Sequence, residues 1–258
     1  MKKLILSLVL LLLSAFPALA AERLLVGVTP FPHKDIMLAA KPLLAAQGYE
    51  LVLREFTDYV QPNMALAENQ LFANFFQHIP YLENMNAEKK LGLIWIAKIH
   101  IEPLGLYSKK IKNINELRKG DLITLPNDPT NEARALRLLE AGGLITLKAG
   151  ELITINDIER NRLGLLFKEI DAPQLPRTLQ DVSAAVINTN FAVEGGLIPA
   201  RDAIISEGKE SPYANVIVVR AADKDSPAAA ALLKAVQSPE VKKYIEDKLV
   251  PLGIVPAF

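Results

Sequence analysis

Three short stretches carry side chains able to grip a small molecule. The first runs Phe72-Ala73-Asn74-Phe75-Phe76-Gln77-His78-Ile79-Pro80-Tyr81, with Tyr59 upstream in Phe56-Thr57-Asp58-Tyr59-Val60. If the strand continues to its end, Phe76 and His78 point to one face and Tyr81, at the head of the next helix, closes over them. Such rings suit an apolar or thioether side chain, because sulfur sits well against aromatic edges. The same pattern also describes an ordinary aromatic core with a satisfied histidine.

The second stretch is Pro126-Asn127-Asp128-Pro129-Thr130-Asn131-Glu132-Ala133-Arg134. Asp128 as N-cap and Pro129 at the first helical position open a helix whose free N–H groups and positive dipole end favour an anion. Arg134, in the second turn, is expected to face a cleft and to offer its planar fork to a carboxylate. A capped helix with a solvated arginine, like Arg137, fits the spacing equally well. In the third set, Asn188 and Asn190 follow the apolar run Ala184 to Ile187, and Asn215 precedes the strand-like Val216 to Val219. A carboxamide at a strand end donates and accepts at once, as a zwitterion requires. Asn190 reads instead as a turn former.

Catalytic patterns are missing. His33, His78 and His100 stand far apart, there is no cysteine, and no metalloprotease, nucleophile-elbow, dinucleotide or phosphate-loop motif is present. The expectation is no enzyme, no catalytic residue, no cofactor and no metal. Acidic and basic residues balance at 29 each, so no basic excess marks a nucleic-acid partner.

The elements that must position these residues read as alternating strands and helices, the pattern of βα units around mainly parallel sheets. Strands are expected at Leu24 to Thr29, Glu50 to Phe56, Ala73 to Gln77, Leu93 to Ile99, Asp121 to Leu125, Leu165 to Ile170, Ala184 to Asn188 and Asn215 to Arg220. Helices are expected at Lys34 to Ala46, Pro129 to Ala141, Pro227 to Gln237 and Pro239 to Leu249. Lys2 and Lys3, an apolar run from Leu4 to Leu13, and Ala18-Leu19-Ala20 read as a cleaved signal peptide over residues 1–20. With no cysteine to carry a lipid, the expected product is periplasmic and without a lipid anchor. The remaining length suits two lobes, expected as 21–104 plus 216–258 and 105–215, with crossings near Leu104 to Tyr107 and Ser211 to Asn215.

The chain resembles the NlpA/MetQ family of methionine receptors of ABC importers. The blocks that carry the resemblance are Glu55 to Asn63, Asn74-Phe75-Phe76-Gln77-His78, Gly105 to Lys110, Pro126 to Asn131, Ala172 to Arg177, Ala185 to Asn188 and Ser211-Pro212-Tyr213-Ala214-Asn215. Ile79 and Phe31 depart from the lysine and glycine frequent in the family. The resemblance implies a periplasmic binding protein fold, two α/β lobes with a ligand cleft between them. It implies a side-chain pocket of Tyr59, Phe76, His78 and Tyr81, and a site for the α-amino and α-carboxylate groups at Asn131, Arg134, Asn188 and Asn215. The implied function is capture of free methionine for delivery to the membrane permease subunits of an ABC importer, with the receptor a monomer. The alternatives are a receptor for another apolar amino acid or a methionine derivative, and an enzyme on the same fold acting on an amino-acid-like substrate.

Overall fold

The computed structural model describes residues 21–208 and 210–258. The signal peptide expected over 1–20 lies outside the described residues. The chain opens with β1 (Glu22–Val28), α1 (His33–Ala45), β2 (Tyr49–Glu55), α2 (Gln61–Ala67), β3 (Ala73–His78), α3 (Ile79–Lys89) and β4 (Leu93–Ile101). It continues through β5 (Gly105–Tyr107), β6 (Leu122–Pro126), α4 (Pro129–Ala141), β7 (Ile145–Leu147), β8 (Ile158–Asn161) and β9 (Leu166–Ile170). Then come α5 (Leu175–Thr178), β10 (Ala184–Ile187), α6 (Thr189–Glu194), α7 (Pro199–Asp202), β11 (Ile205–Ser206) and β12 (Ala214–Arg220). The last elements are α8 (Pro227–Val236), α9 (Pro239–Tyr244) and β13 (Val255–Pro256).

Two larger sheets result, ordered β13-β4-β12-β3-β1-β2 and β11-β5-β10-β6-β9. The parallel expectation holds for β2-β1-β3 and for β10-β6-β9, where helical crossovers join the strands. It fails for β12, β13, β5 and β11, which pair antiparallel with their neighbours. Of these, β5, β11 and β12 flank the passages between the sheets, from β4 to β5 and from β11 to β12, where no helix separates the strands.

Each sheet buries both faces, which is why its strands are apolar runs. In the first, Leu24, Val26, Phe75, Ile99 and Ile217 pack with Ile36 and Leu44 of α1 and Leu232 of α8. Its other face meets α2 and α3 through Val216, Val218, Leu66 and Leu82. In the second, Leu106, Ile123, Leu125 and Val186 pack under Leu136 and Leu139 of α4, and Ala185 and Ile187 pack on Leu175 and Phe191. Ser226 and Ser238 cap α8 and α9 through the N–H groups of Ala229 and Val241, each with proline following. No helix among the described residues is long and apolar enough to cross a membrane.

One irregularity aims the first stretch. Val216 and Ile217 pair with Gln77 and Phe75, so Phe76 is the extra residue of a bulge. A bulge interrupts alternation and re-aims side chains. Gln77 thereby reaches Asn74 and Asn63 in a buried amide cluster with bonds of 2.6–3.0 Å, while Phe76 and His78 both line the cavity described below. Phe75, fully buried, carries the opposite face against the His33 and His100 rings. Phe75→Ala is expected to cost about 3–5 kcal/mol, read as a lowered midpoint in denaturant unfolding of the ligand-free protein.

Candidate ligand-binding site

A narrow cavity lies where the two sheets meet. All eight residues singled out from the sequence line it: Tyr59, Phe76, His78, Tyr81, Asn131, Arg134, Asn188 and Asn215. Gln77, Glu102, Thr189 and Asn190 complete the wall.

One end is aromatic. The ring centroids of Tyr59, Phe76 and Tyr81 lie 5.9–6.0 Å apart in pairs, and the Tyr81 hydroxyl donates to the Tyr59 carbonyl at 2.9 Å. The Tyr59 hydroxyl donates to Asn190 Oδ1 at 2.6 Å, joining the first sheet's side of the cavity to α6. Burial raises both tyrosine pKa values, and nearby carboxylates add to this, chiefly Glu102 and Asp128 at Tyr59 and Asp128 at Tyr81.

The polar end is organised by Asp128, the N-cap of α4. Its carboxylate takes Asn131 Nδ2 at 2.9 and 3.0 Å, the Asn131 backbone N–H at 3.0 Å and the Thr130 hydroxyl at 3.0 Å. The Asn131 amide is therefore turned with Oδ1 into the cavity, where it accepts from Asn188 Nδ2 at 3.0 Å and pairs with His78 Nε2 at 3.1 Å. His78 Nδ1 accepts the Tyr81 N–H at 3.1 Å, so the ring proton sits on Nε2. Burial and the Arg134 charge lower the His78 pKa to about 3, and the ring is neutral. Asn188, its nitrogen engaged, presents a buried Oδ1 without a protein partner. Asn190 Nδ2 is likewise a buried donor without one.

Asn215, in β12, lies between His78 of β3 and His100 of β4. Its Oδ1 stands 3.1 Å from His33 Nε2, and His33 Nδ1 pairs with the Thr29 hydroxyl at 2.6 Å. His100 Nε2 meets Glu102 Oε1 at 2.7 Å, and His33 Nε2 lies 3.4 Å from the same oxygen. His33, His100 and Glu102 form the one group among the described residues whose ligand atoms are close enough for a metal. Both Nε2 atoms are engaged with Glu102 or Asn215, which makes a hydrogen-bonded triad of them. Burial lowers His33 to about 4 and His100 to about 3. Burial raises Glu102, opposed by His33, Arg134 and the Asn190 N–H.

Three expectations need correction. Arg134 lines the cavity and is 3 % exposed, but its fork is not free. Its Nε and Nη2 hold Glu207 at 2.8 and 2.6 Å, Nη2 also donates to the Glu102 carbonyl at 2.7 Å, and the guanidinium lies 4.2 Å over the Tyr213 ring. Nη1 alone of the guanidinium nitrogens has no hydrogen-bond partner among the described residues. Asn190 is not a turn former, but a buried residue of α6. The free N–H groups at the start of α4 are partly met by Asp128 itself.

Glu102 and Glu207 are not marked by the sequence patterns. His100-Ile101-Glu102-Pro103, with an acid among histidine and proline at a strand end, was a weak signal for the first; nothing local marks Glu207, 73 residues from Arg134.

The family model described as NlpA lipoprotein matches residues 24–258. The outer membrane lipoprotein 3 of Mannheimia haemolytica is 47% identical over 86% of this chain and 85% of its own. The D-methionine-binding lipoprotein MetQ of Escherichia coli is 44% identical over 75% and 73%. A nutrient binding protein from Burkholderia cenocepacia, solved bound to methionine, superposes with a TM-score of 0.88 at 43% identity, covering 91% of this chain and all of that one. A periplasmic substrate-binding protein of an ABC transporter from Coxiella burnetii gives 0.87 at 43%, with the same coverage. The fold is that of periplasmic substrate-binding proteins. The expectation of no lipid anchor is overturned: the family and these curated relatives are lipoproteins, which are lipid-anchored, while an extracytoplasmic location agrees with both.

The buried histidines supply a direct check on the hydrogen-bond pattern. Their folded pKa values lie below the ordinary 6.5, so each holds its neutral form until the pH falls to about 4 or 3. Imidazole nitrogen NMR is expected to show no titration between about pH 5 and 8, with His78 protonated on Nε2.

Proposed function

The chain belongs to the NlpA lipoprotein family, whose model spans residues 24–258, and from that premise we propose that it is an extracytoplasmic receptor for free methionine. It delivers the ligand to the membrane-spanning subunits of an ABC importer and performs no chemistry on it. The two sheets act as lobes, 21–104 plus 216–258 and 105–215, that close on the ligand, closure being driven by contacts the ligand makes with both.

The observation that carries this reading is the set of polar atoms left without partners. Asn188 Oδ1 is a buried acceptor and Asn190 Nδ2 a buried donor, and each such atom costs about 1–3 kcal/mol if unmet. Arg134 Nη1 adds a charged donor, and Glu102, whose Oε1 is shared by two histidines, adds a carboxylate at the same wall. An α-amino acid zwitterion fits both signs at once. Its ammonium goes to Asn188 Oδ1 and Glu102, and its carboxylate to Arg134 Nη1 and Asn215. Asn131 and His78 fix the orientation of these groups. An unbranched thioether side chain then lies among Tyr59, Phe76 and Tyr81, where sulfur is favoured. Relatives named as methionine receptors support the same choice.

Glu207 gives Arg134 a positioned charge at the expense of its fork. The ligand carboxylate meets one guanidinium nitrogen, so a lysine at 134 would lose the Glu207 grip more than a bidentate ligand contact.

Calorimetric titration is expected to give one methionine per chain, recovered unchanged. N-acetylmethionine, which removes the ammonium, and methioninamide, which removes the carboxylate, should each bind at least ~100-fold more weakly, since truncating one side of a buried charged pair costs about 2–5 kcal/mol. Arg134→Ala should lose a similar factor and, by stranding the Glu207 carboxylate, also lower the melting temperature of the ligand-free protein. Alanine binding as well as methionine would remove the aromatic pocket from the account, and turnover of the ligand would remove the receptor.

A further inference from the structure

We infer that the aromatic end of the cavity accepts a cationic side chain, an α-amino acid ending in a dialkylsulfonium, in preference to a neutral branched chain of the same shape. This deepens the receptor reading and rests on it, because the α-amino and α-carboxylate groups must be held as above for the side chain to reach the rings.

The geometry comes first. Tyr59, Phe76 and Tyr81 form a near-equilateral triangle of rings, with centroid separations of 5.9, 6.0 and 6.0 Å. A group seated over that triangle lies within the ~6 Å reach of a cation–π contact with all three rings at once. The rings are held in place: Tyr81 through its hydroxyl on the Tyr59 carbonyl, Tyr59 through Asn190 and against Phe191 at 5.0 Å, and Phe76 by the bulge in β3.

Carboxylates outnumber cations around the rings. Arg134, the basic group of the cavity wall, is paired with Glu207 at 2.6 Å, and His78 beside it is neutral. Tyr59 and Tyr81 also line a second, wider groove with Asp58, Asp128, Asp171 and Glu194 against Arg177. Burial first, and these carboxylates after it, push the phenol pKa values of Tyr59 and Tyr81 upward, and the carboxylate field favours a positive ligand group over a neutral one. A neutral thioether is admitted by apolar contact and sulfur–ring contact alone. A sulfonium adds its charge to the same seat, where attraction to the ring faces and the carboxylates offsets the cost of taking that charge out of water.

Two ligands of equal shape isolate the charge. S-methylmethionine ends in a dimethylsulfonium, and homoleucine, 2-amino-5-methylhexanoic acid, carries a CH in place of that sulfur. Competition calorimetry against methionine on the full chain is expected to rank S-methylmethionine roughly fivefold or more tighter than homoleucine, about 1 kcal/mol at 1.4 kcal/mol per decade. In Tyr81→Leu, which keeps an apolar wall and removes one π face, that ratio should shrink toward one whatever happens to overall affinity. Equal binding, or tighter binding of homoleucine, overturns the inference while methionine binding leaves the receptor reading standing. So does failure of both probes to displace bound methionine, because the rings then admit no branched terminus. If methionine itself does not bind, the receptor reading fails and the inference falls with it.

Discussion

The polar half of the cavity depends on the Asp128 carboxylate, which can only accept hydrogen bonds. Its two oxygens take the Asn131 amide nitrogen, and that single choice propagates. Reversing the Asn131 amide would set its oxygen against a carboxylate and forfeit charge-assisted bonds of about 1.5–3 kcal/mol each, against about 1 for a neutral one. The orientation is therefore decided by Asp128. With Asn131 Oδ1 facing inward, His78 must donate and Asn188 must donate, and Asn188 Oδ1 is left as the acceptor that a ligand ammonium meets. A helix N-cap thus sets the polarity of a binding wall three side chains away.

That wall is shared between the sheets. His78 at the end of β3 meets Asn131 in α4, and Tyr59 beside α2 meets Asn190 in α6. Glu207, on the passage from β11 to β12, holds Arg134 and also takes the Leu104 N–H at 3.0 Å on the passage from β4 to β5. One carboxylate therefore links the guanidinium to both passages. Buried polar groups of this density are stable only when nearly all are satisfied, and Asn188 and Asn190, the two side-chain amides at the start of α6 that carry an unmet atom, both line the cavity.

The fold was largely legible because its information is local. Apolar runs such as Leu24 to Val28 and Ala184 to Ile187 mark strands buried on two faces, and Ser-Pro and Asp-Pro pairs mark the starts of α4, α8 and α9. Strand direction was less legible: nothing within Ala214 to Arg220 says that it runs against β3 and β4. The eight residues do share one cavity, but residue types alone left the aromatic stretch and Arg134 open to plainer readings, and the family resemblance carried the choice. What was not legible is who pairs with whom. Arg134 read as free because Glu207 lies 73 residues on, and Asn190 read as a turn because only the fold brings Tyr59 to it across 131 residues.

A crystal structure of the protein grown with methionine tests the central claim most directly. The ammonium should lie within about 3 Å of Asn188 Oδ1 and beside Glu102, the carboxylate on Arg134 Nη1 with Asn215, and the thioether among Tyr59, Phe76 and Tyr81. A carboxylate seated against Asn188 Oδ1, or methionine bound outside this cavity, would contradict the polarity that Asp128 is held to impose.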